Sequence, residues 1–213
     1  MLEDLQRMLQ SGIVAVVRAP SGDGMAELSE ALAAGGVDAV EITFTVPRAH
    51  RVLEDVADRV GDRILLGAGT VLDPETARIA ILSGARFIVS PTINLEVIRH
   101  CHRYDRVVVP GAMTPTEVLT AWEAGADVVK IFPSEVGGPA YFKALHGPLP
   151  QVRLMPSGGV NLQTAADFLR AGAAVLSVGS ALVDPAALAS RDFTKIEATA
   201  RQYVEIVRQF RGA

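Results

Sequence analysis

The chain has 213 residues, 49% of them apolar and 21% charged, and a formal net charge of −4. That is enough apolar content for a buried core without disulfides, at a length near the lower end for one α/β barrel. The acidic balance and the lack of a basic run argue against a nucleic-acid partner, and no stretch approaches the roughly 18 uncharged apolar residues that would suggest a membrane span.

Met1-Leu2-Glu3-Asp4-Leu5 opens a short helix, and its acidic start differs from the basic-then-apolar order of a secretory signal. Short runs rich in Val and Ile then alternate with segments of helical period. The predicted strands are residues 13–18, 39–43, 64–68, 87–90, 107–110, 128–132, 152–156 and 175–179. Residues 25–34 and 49–60 between them each read as a helix with one apolar face. Asp73-Pro74-Glu75 and Thr114-Pro115-Thr116-Glu117 each place a capping residue before proline at the first helical position. Ala34-Gly35-Gly36-Val37, Ser83-Gly84-Ala85-Arg86, Ala124-Gly125-Ala126-Asp127 and Ala171-Gly172-Ala173-Ala174 form a weak repeat, each ending a helix in a left-handed glycine before a strand.

Nearly continuous apolar strands joined by helical crossovers predict a parallel sheet covered by helices. The simplest form is one (β/α)₈ TIM barrel over residues 1–213, preceded by the short N-terminal helix. The rival is an open doubly wound sheet with Gly67-Ala68-Gly69-Thr70 as a nucleotide loop. That stretch lacks the third glycine and follows the third strand, not the first.

In such a barrel the site is built at the C-terminal ends of the strands. Lys130 lies within Val128-Val129-Lys130-Ile131-Phe132, where alternation puts it on the same face as Val128 and Phe132. An ammonium is costly to desolvate there, which makes a neutral, nucleophilic amine accessible. The competing expectation is a lysine that snorkels to the mouth and pairs with a carboxylate or phosphate. Glu41 holds an equivalent place in Ala39-Val40-Glu41-Ile42-Thr43, so it is either a proton-transfer partner or half of a structural ion pair with Lys130.

Ser157-Gly158-Gly159-Val160-Asn161 and Gly179-Ser180 follow the seventh and eighth strands. Glycines there let backbone amides approach a phosphate, with a helix N-terminus behind them, although tight turns alone would use the same residues. Arg18, ending the first strand, is either an anion ligand at this mouth or a solvated cap. His100 and His102 are two apart on a helix and cannot chelate one metal as an i, i+4 pair does, and His50 and His146 stand alone. Cys101 is the only cysteine, which excludes an internal disulfide and suits a reducing, cytoplasmic setting. No metal site is expected.

Glu41-Ile42-Thr43, Gly67-Ala68-Gly69-Thr70-Val71-Leu72, Ser90-Pro91, Val109-Pro110-Gly111, Lys130-Ile131-Phe132-Pro133, Ser157-Gly158-Gly159 and Val178-Gly179-Ser180 run in the order and spacing of one known family. Over nearly its whole length the chain resembles the 2-keto-3-deoxy-6-phosphogluconate aldolases, which include phosphogalactonate and 4-hydroxy-2-oxoglutarate aldolases. The resemblance implies a class I aldolase that releases pyruvate and glyceraldehyde 3-phosphate through a covalent lysine imine, without metal or other cofactor. It matches Lys130 to the Schiff-base lysine and Glu41 to the acid/base. Thr70 matches a carboxylate-holding hydroxyl, Pro91 and Phe132 the pyruvyl pocket, and Gly158, Gly159, Gly179 and Ser180 the phosphate site. It also implies a homotrimer acting on a small phosphorylated keto acid.

The chain departs from phosphogluconate members at Thr45, where they carry an arginine four residues after the glutamate. Arg18 is the expected substitute for that charge. Residues 130–134 and 138–145 look closer to the galactonate branch. Two readings outside the family use the same residues. A sugar-phosphate isomerase or epimerase would need the phosphate cup but not Lys130, and a silent sugar-phosphate-binding protein would keep Lys130 and Glu41 as a structural pair.

Overall fold

The computed structural model describes residues 1–212. Helix α1 (Leu2–Ser11) stops where Gly12 takes φ 71°, and strand β1 (Ile13–Val17) follows at once. The order continues with α2 (Met25–Ala34), β2 (Ala39–Thr43), α3 (Ala49–Val60), β3 (Leu65–Gly69), α4 (Pro74–Leu82), β4 (Phe87–Val89) and α5 (Leu95–Arg103). Then come β5 (Val107–Val109), β6 (Gly111–Ala112), α6 (Pro115–Glu123), β7 (Val129–Ile131), a 3₁₀ turn (Ser134–Val136) and α7 (Gly138–His146). The chain closes with β8 (Leu154–Pro156), α8 (Ala165–Arg170), β9 (Leu176–Val178), α9 (Pro185–Ala189) and α10 (Phe193–Arg211). No helix among the described residues is long and apolar enough to cross a membrane.

Local chemistry sets these boundaries. The Asp73 side chain accepts from Thr76 N at the start of α4, and Thr114 with Glu117 makes a reciprocal capping box on α6. Gly36, Gly84, Gly125 and Gly172 all have φ between 89° and 103°, so the repeat seen in the sequence is a repeated left-handed helix exit.

All strand pairs are parallel. One sheet has six strands in the order β5-β4-β3-β2-β1-β9, and the other has three in the order β6-β7-β8. This corrects the expectation of eight uninterrupted strands. Pro110 lacks an N–H and ends the predicted 107–110 strand at Val109 as β5, and a short β6 beyond the predicted bounds follows, whose Gly111 N turns to Thr92 O at 3.3 Å. The predicted 152–156 strand begins only at Leu154, because Val152 N is used in a turn by Leu149 O. The sheets touch at both edges. Asp127 N, just before β7, donates to Val108 O of β5 at 3.1 Å, and parallel bridges pair Leu154 with Ala173 and Ser157 with Ser177.

Alternation along the strands separates two cores. Val14, Ala39, Leu65, Phe87, Val107, Val128, Met155 and Val175 share one inner cluster with Leu5 and Met8 of α1, so α1 plugs the N-terminal end of the curled sheet. Ile13, Ala15, Val17, Val40, Ile42, Val129, Ile131 and Leu176 pack outward under the helices. An inner face that is apolar at the plugged end leaves its polar residues, Glu41, Thr43, Lys130, Ser157 and Ser177, at or toward the other.

Candidate active site

Glu41 is 1% exposed and Lys130 is 3% exposed. Both alternate onto the inner face, Glu41 two residues beyond Ala39 and Lys130 two beyond Val128. Neither takes part in an ion pair among the described residues. Glu41 Oε2 is cut off from water and has no hydrogen-bond partner. Burial pushes the Glu41 carboxyl above its ordinary value, while the charges of Lys130 and Arg18 pull it back. A structural Lys130–Glu41 salt bridge, the bland expectation for two such residues, is therefore not what the fold contains.

The glycines of β3 make the room for this carboxylate. A Cβ on Gly69 would stand 1.8 Å from Glu41 Oε1, and one on Gly67 would stand 2.3 Å from the Phe87 ring. Gly67 and Gly69 are thus strand positions without side chains on either side of the buried Ala68, and the stretch belongs to β3 through Gly69. Thr70, directly after it, has φ 59°. A β-branched residue in the left-handed region carries strain of about 1–3 kcal/mol, the kind of strain that collects at functional sites.

A cavity of about 520 Å³ opens among the strand ends, and its wall includes neither Lys130 nor Glu41. Arg18, Phe132, Gly158, Gly159, Gly179 and Ser180, all singled out from the sequence, line it together. Gly158 and Gly159 adopt φ 90° and 73°, so these positions suit glycine for conformational reasons as well as for space. Lys130 Nζ lies 5.2 Å from the centre of the Phe132 ring, which places the amine behind one wall of the cavity. Glu41 is the register partner of Val16, another wall residue. Arg18 is exposed, forms no ion pair among the described residues and adds positive charge.

Thr70 and Pro91 stand at strand ends on the same side but outside the wall of this cavity. Pro91 is held near the amine indirectly. A Cβ on Gly111 would fall 2.3 Å from its backbone, and Gly111 is the register partner of Lys130. Thr45 is exposed and shares a 2.7 Å hydrogen bond with the Thr43 hydroxyl.

Ser177 is buried and donates to Ser157 Oγ at 3.2 Å, giving the cavity floor two hydroxyls. Its signal is faint in the sequence, a single small polar residue in an apolar strand at an inward position. Glu135 also lines the cavity without having been singled out. His102 Nε2 instead lies 3.8 Å from Asp127 Oδ2, away from this cavity. His100 packs against Tyr104 with ring centroids 4.9 Å apart and the ring planes tilted by 55°. Cys101 is buried, and burial with the nearby Asp127 charge pushes its thiol up to about 12.

Residues 5–199 match a family model described as KDPG and KHG aldolase. The 2-dehydro-3-deoxy-6-phosphogalactonate aldolase of Escherichia coli is 38% identical over 202 residues, spanning 94% of this chain and 95% of the relative. The 2-dehydro-3-deoxy-phosphogluconate aldolase of Treponema pallidum is 35% identical over 196 residues, spanning 92% and 93%. Among solved structures, KDPG aldolase from Legionella pneumophila, with pyruvate captured as a covalent carbinolamine intermediate, superposes with a TM-score of 0.86. It is 28% identical, with 93% of this chain and 96% of that chain covered.

The state of Glu41 predicts a pH signature in stability. Because burial raises its proton affinity, the folded protein holds the proton where the unfolded carboxyl, near 4.5, has released it. Stability is therefore lost as pH rises from about 4.5 through the raised folded value. Glu41→Gln should melt at a higher temperature than the parent at pH 7, with the gap shrinking to nothing as pH falls below 4.5. A gap that is absent at pH 7, or widens in acid, would show that Glu41 is stabilised as a carboxylate.

Proposed function

The chain belongs to the KDPG and KHG aldolase family and is an aldehyde-lyase, and from that premise we propose that Lys130 and Glu41 carry a Schiff-base cleavage of a 2-keto-3-deoxy-6-phospho sugar acid. The observation that supports this most is the buried amine without an ion-pair partner beside an equally buried, unpartnered carboxylate. The substrate has the gluconate or galactonate configuration, since relatives of both kinds match over nearly the full chain.

In this reading the Lys130 amine attacks the C2 ketone to give a carbinolamine, which loses water to a protonated imine. Glu41 takes the C4 hydroxyl proton, through a water molecule, as the C3–C4 electron pair moves into the imine. Glyceraldehyde 3-phosphate leaves, and the enamine that remains is protonated at C3 with the proton Glu41 has collected. Hydrolysis of the resulting imine releases pyruvate and restores the amine. A carboxyl with raised proton affinity suits this double duty, because it both accepts and returns the proton. No metal or other cofactor enters these steps.

The rest of the site divides by charge and reach. Gly158, Gly159, Gly179 and Ser180 receive the phosphate, with backbone amides and the Ser180 hydroxyl as donors. Thr70 holds the pyruvyl carboxylate, and Pro91 and Phe132 enclose the pyruvyl carbons. Arg18 supplies the positive charge that Thr45 does not. Contacts at both sheet edges support closure of the two sheets into a single (β/α)₈ barrel, one domain long, with these groups around its mouth. A homotrimer in the cytoplasm is the proposed setting. Leu72, Ile79, Leu82 and Leu95 leave exposed apolar surface around α4 and the start of α5 for subunit contact.

Lys130→Met should lower kcat by roughly 10⁴-fold or more while leaving the melting temperature equal or higher, since it removes the nucleophile together with a buried polar group that has no ion-pair partner. Full cleavage activity in this variant would remove Lys130 from the chemistry. The phosphorylated acid should be cleaved with much higher kcat/KM than the same acid without phosphate, because remote binding energy orients the reacting carbon. Equal values, with 4-hydroxy-2-oxoglutarate as a good substrate, would assign the hydroxy-oxoglutarate reaction instead. Light scattering should give the mass of three chains, and a one-chain mass would remove the trimer.

A further inference from the structure

The cavity contains a carboxylate that the cleavage steps do not use. Glu135 lies in the 3₁₀ turn five residues beyond Lys130, and the turn is bolted to the end of β8. Ser134 N donates to Ser157 O at 2.8 Å, Ser157 N donates to Ser134 Oγ at 3.1 Å, and Ser134 Oγ donates to Ile131 O at 2.7 Å. This clamp sets Glu135 against the glycine cup. Its Oε2 is 3.3 Å from where a Cβ of Gly158 would stand, and its own Cβ is 2.8 Å from that of Gly159. Glu135 has no ion pair among the described residues, although Arg18 lines the same cavity.

A carboxylate beside a phosphate cup repels the phosphate, and a hydrogen-bond donor standing between them offsets that repulsion. Phe132, whose ring centre is 5.2 Å from Lys130 Nζ, shares the cavity wall with Glu135 and Gly158. A substrate joined to Lys130 at C2 and seated in the cup by its C6 phosphate must lay its C4 and C5 hydroxyls along this wall. The C4 hydroxyl gives its proton to Glu41 and becomes the aldehyde. The C5 hydroxyl stays an alcohol throughout, in either C4 epimer.

We propose that Glu135 is a substrate-binding residue whose carboxylate accepts a hydrogen bond from the C5 hydroxyl, so that the site selects α-hydroxy aldehyde phosphates over aldehyde phosphates without that hydroxyl. The inference rests on the aldolase reading above. An ionised acceptor makes the contact stronger than a neutral amide would.

The test is the reverse reaction, addition of pyruvate to glyceraldehyde 3-phosphate or to 3-oxopropyl phosphate, which lacks only the hydroxyl in question. With Glu135→Ala, kcat/KM for glyceraldehyde 3-phosphate should fall on the order of 10- to 100-fold. For 3-oxopropyl phosphate the change should stay within about 3-fold, because the deleted partner has nothing to bind. Glu135→Gln, which keeps a neutral acceptor, should fall between parent and alanine variant. Equal losses with both aldehydes, no loss with either, or a gain with both through relief of phosphate repulsion would each overturn the proposal. Solvent deuterium exchange into the pyruvate methyl group, which needs the imine but no aldehyde, separates this outcome from the parent reading. Its absence in the unaltered protein would sink the aldolase reading, whereas its loss only in Glu135→Ala would show that Glu135 merely supports the site.

Discussion

Lys130 and Glu41 are withdrawn from water on one inner face, and neither has an ion-pair partner among the described residues. Desolvation without pairing is among the costliest arrangements for ionisable groups, and a chain selected for stability alone would replace both with apolar residues. The surrounding structure reads as the means of keeping the arrangement. Apolar packing below, from α1 through Val128 and Met155, holds the strands in register. Gly69 gives the carboxylate its space, and Gly111 lets the Pro91 backbone close against the strand next to the amine.

Polarity along the inner face gives the site its direction. At the plugged end, Leu5 and Met8 exclude water, and Asp4 of α1 is held by Arg86. At the open end, hydroxyls, left-handed glycines and unpaired Arg18 face a cavity wide enough for a small phosphorylated acid. Reactive groups thus sit at the boundary between a dry floor and a polar mouth. In the proposed reading a water-excluded amine there remains within reach of an anionic substrate, whose phosphate end the glycine cup would hold at a set distance.

Much of this was legible because it is written locally. The helices predicted at 25–34 and 49–60 have those bounds in the structure, since amphipathic period and glycine exits are properties of contiguous residues. That Lys130 shares a face with Val128 follows from alternation alone, whereas packing against α1 decides that this face is the inner one. The break at Pro110 was also written in the sequence, as a missing N–H, but the apolar run around it masked the change of partner to Thr92. Ser177 and Glu135 were harder to find for a tertiary reason. Glu135 enters the cavity only because Ser134 is tied to Ser157, 23 residues away in the chain, and no period or motif in its own segment carries that contact. The absence of a salt bridge between Lys130 and Glu41 was equally beyond sequence, because two residues on one face are compatible with either geometry.

The central claim is that the Lys130 amine forms an imine with a keto acid. Its most direct test is peptide-level mass spectrometry after borohydride reduction in the presence of pyruvate. A reduced pyruvyl adduct should appear on the peptide containing Lys130 and on no other lysine, with activity lost in step. An unmodified Lys130, or an adduct on another lysine that accounts for the lost activity, would contradict the account.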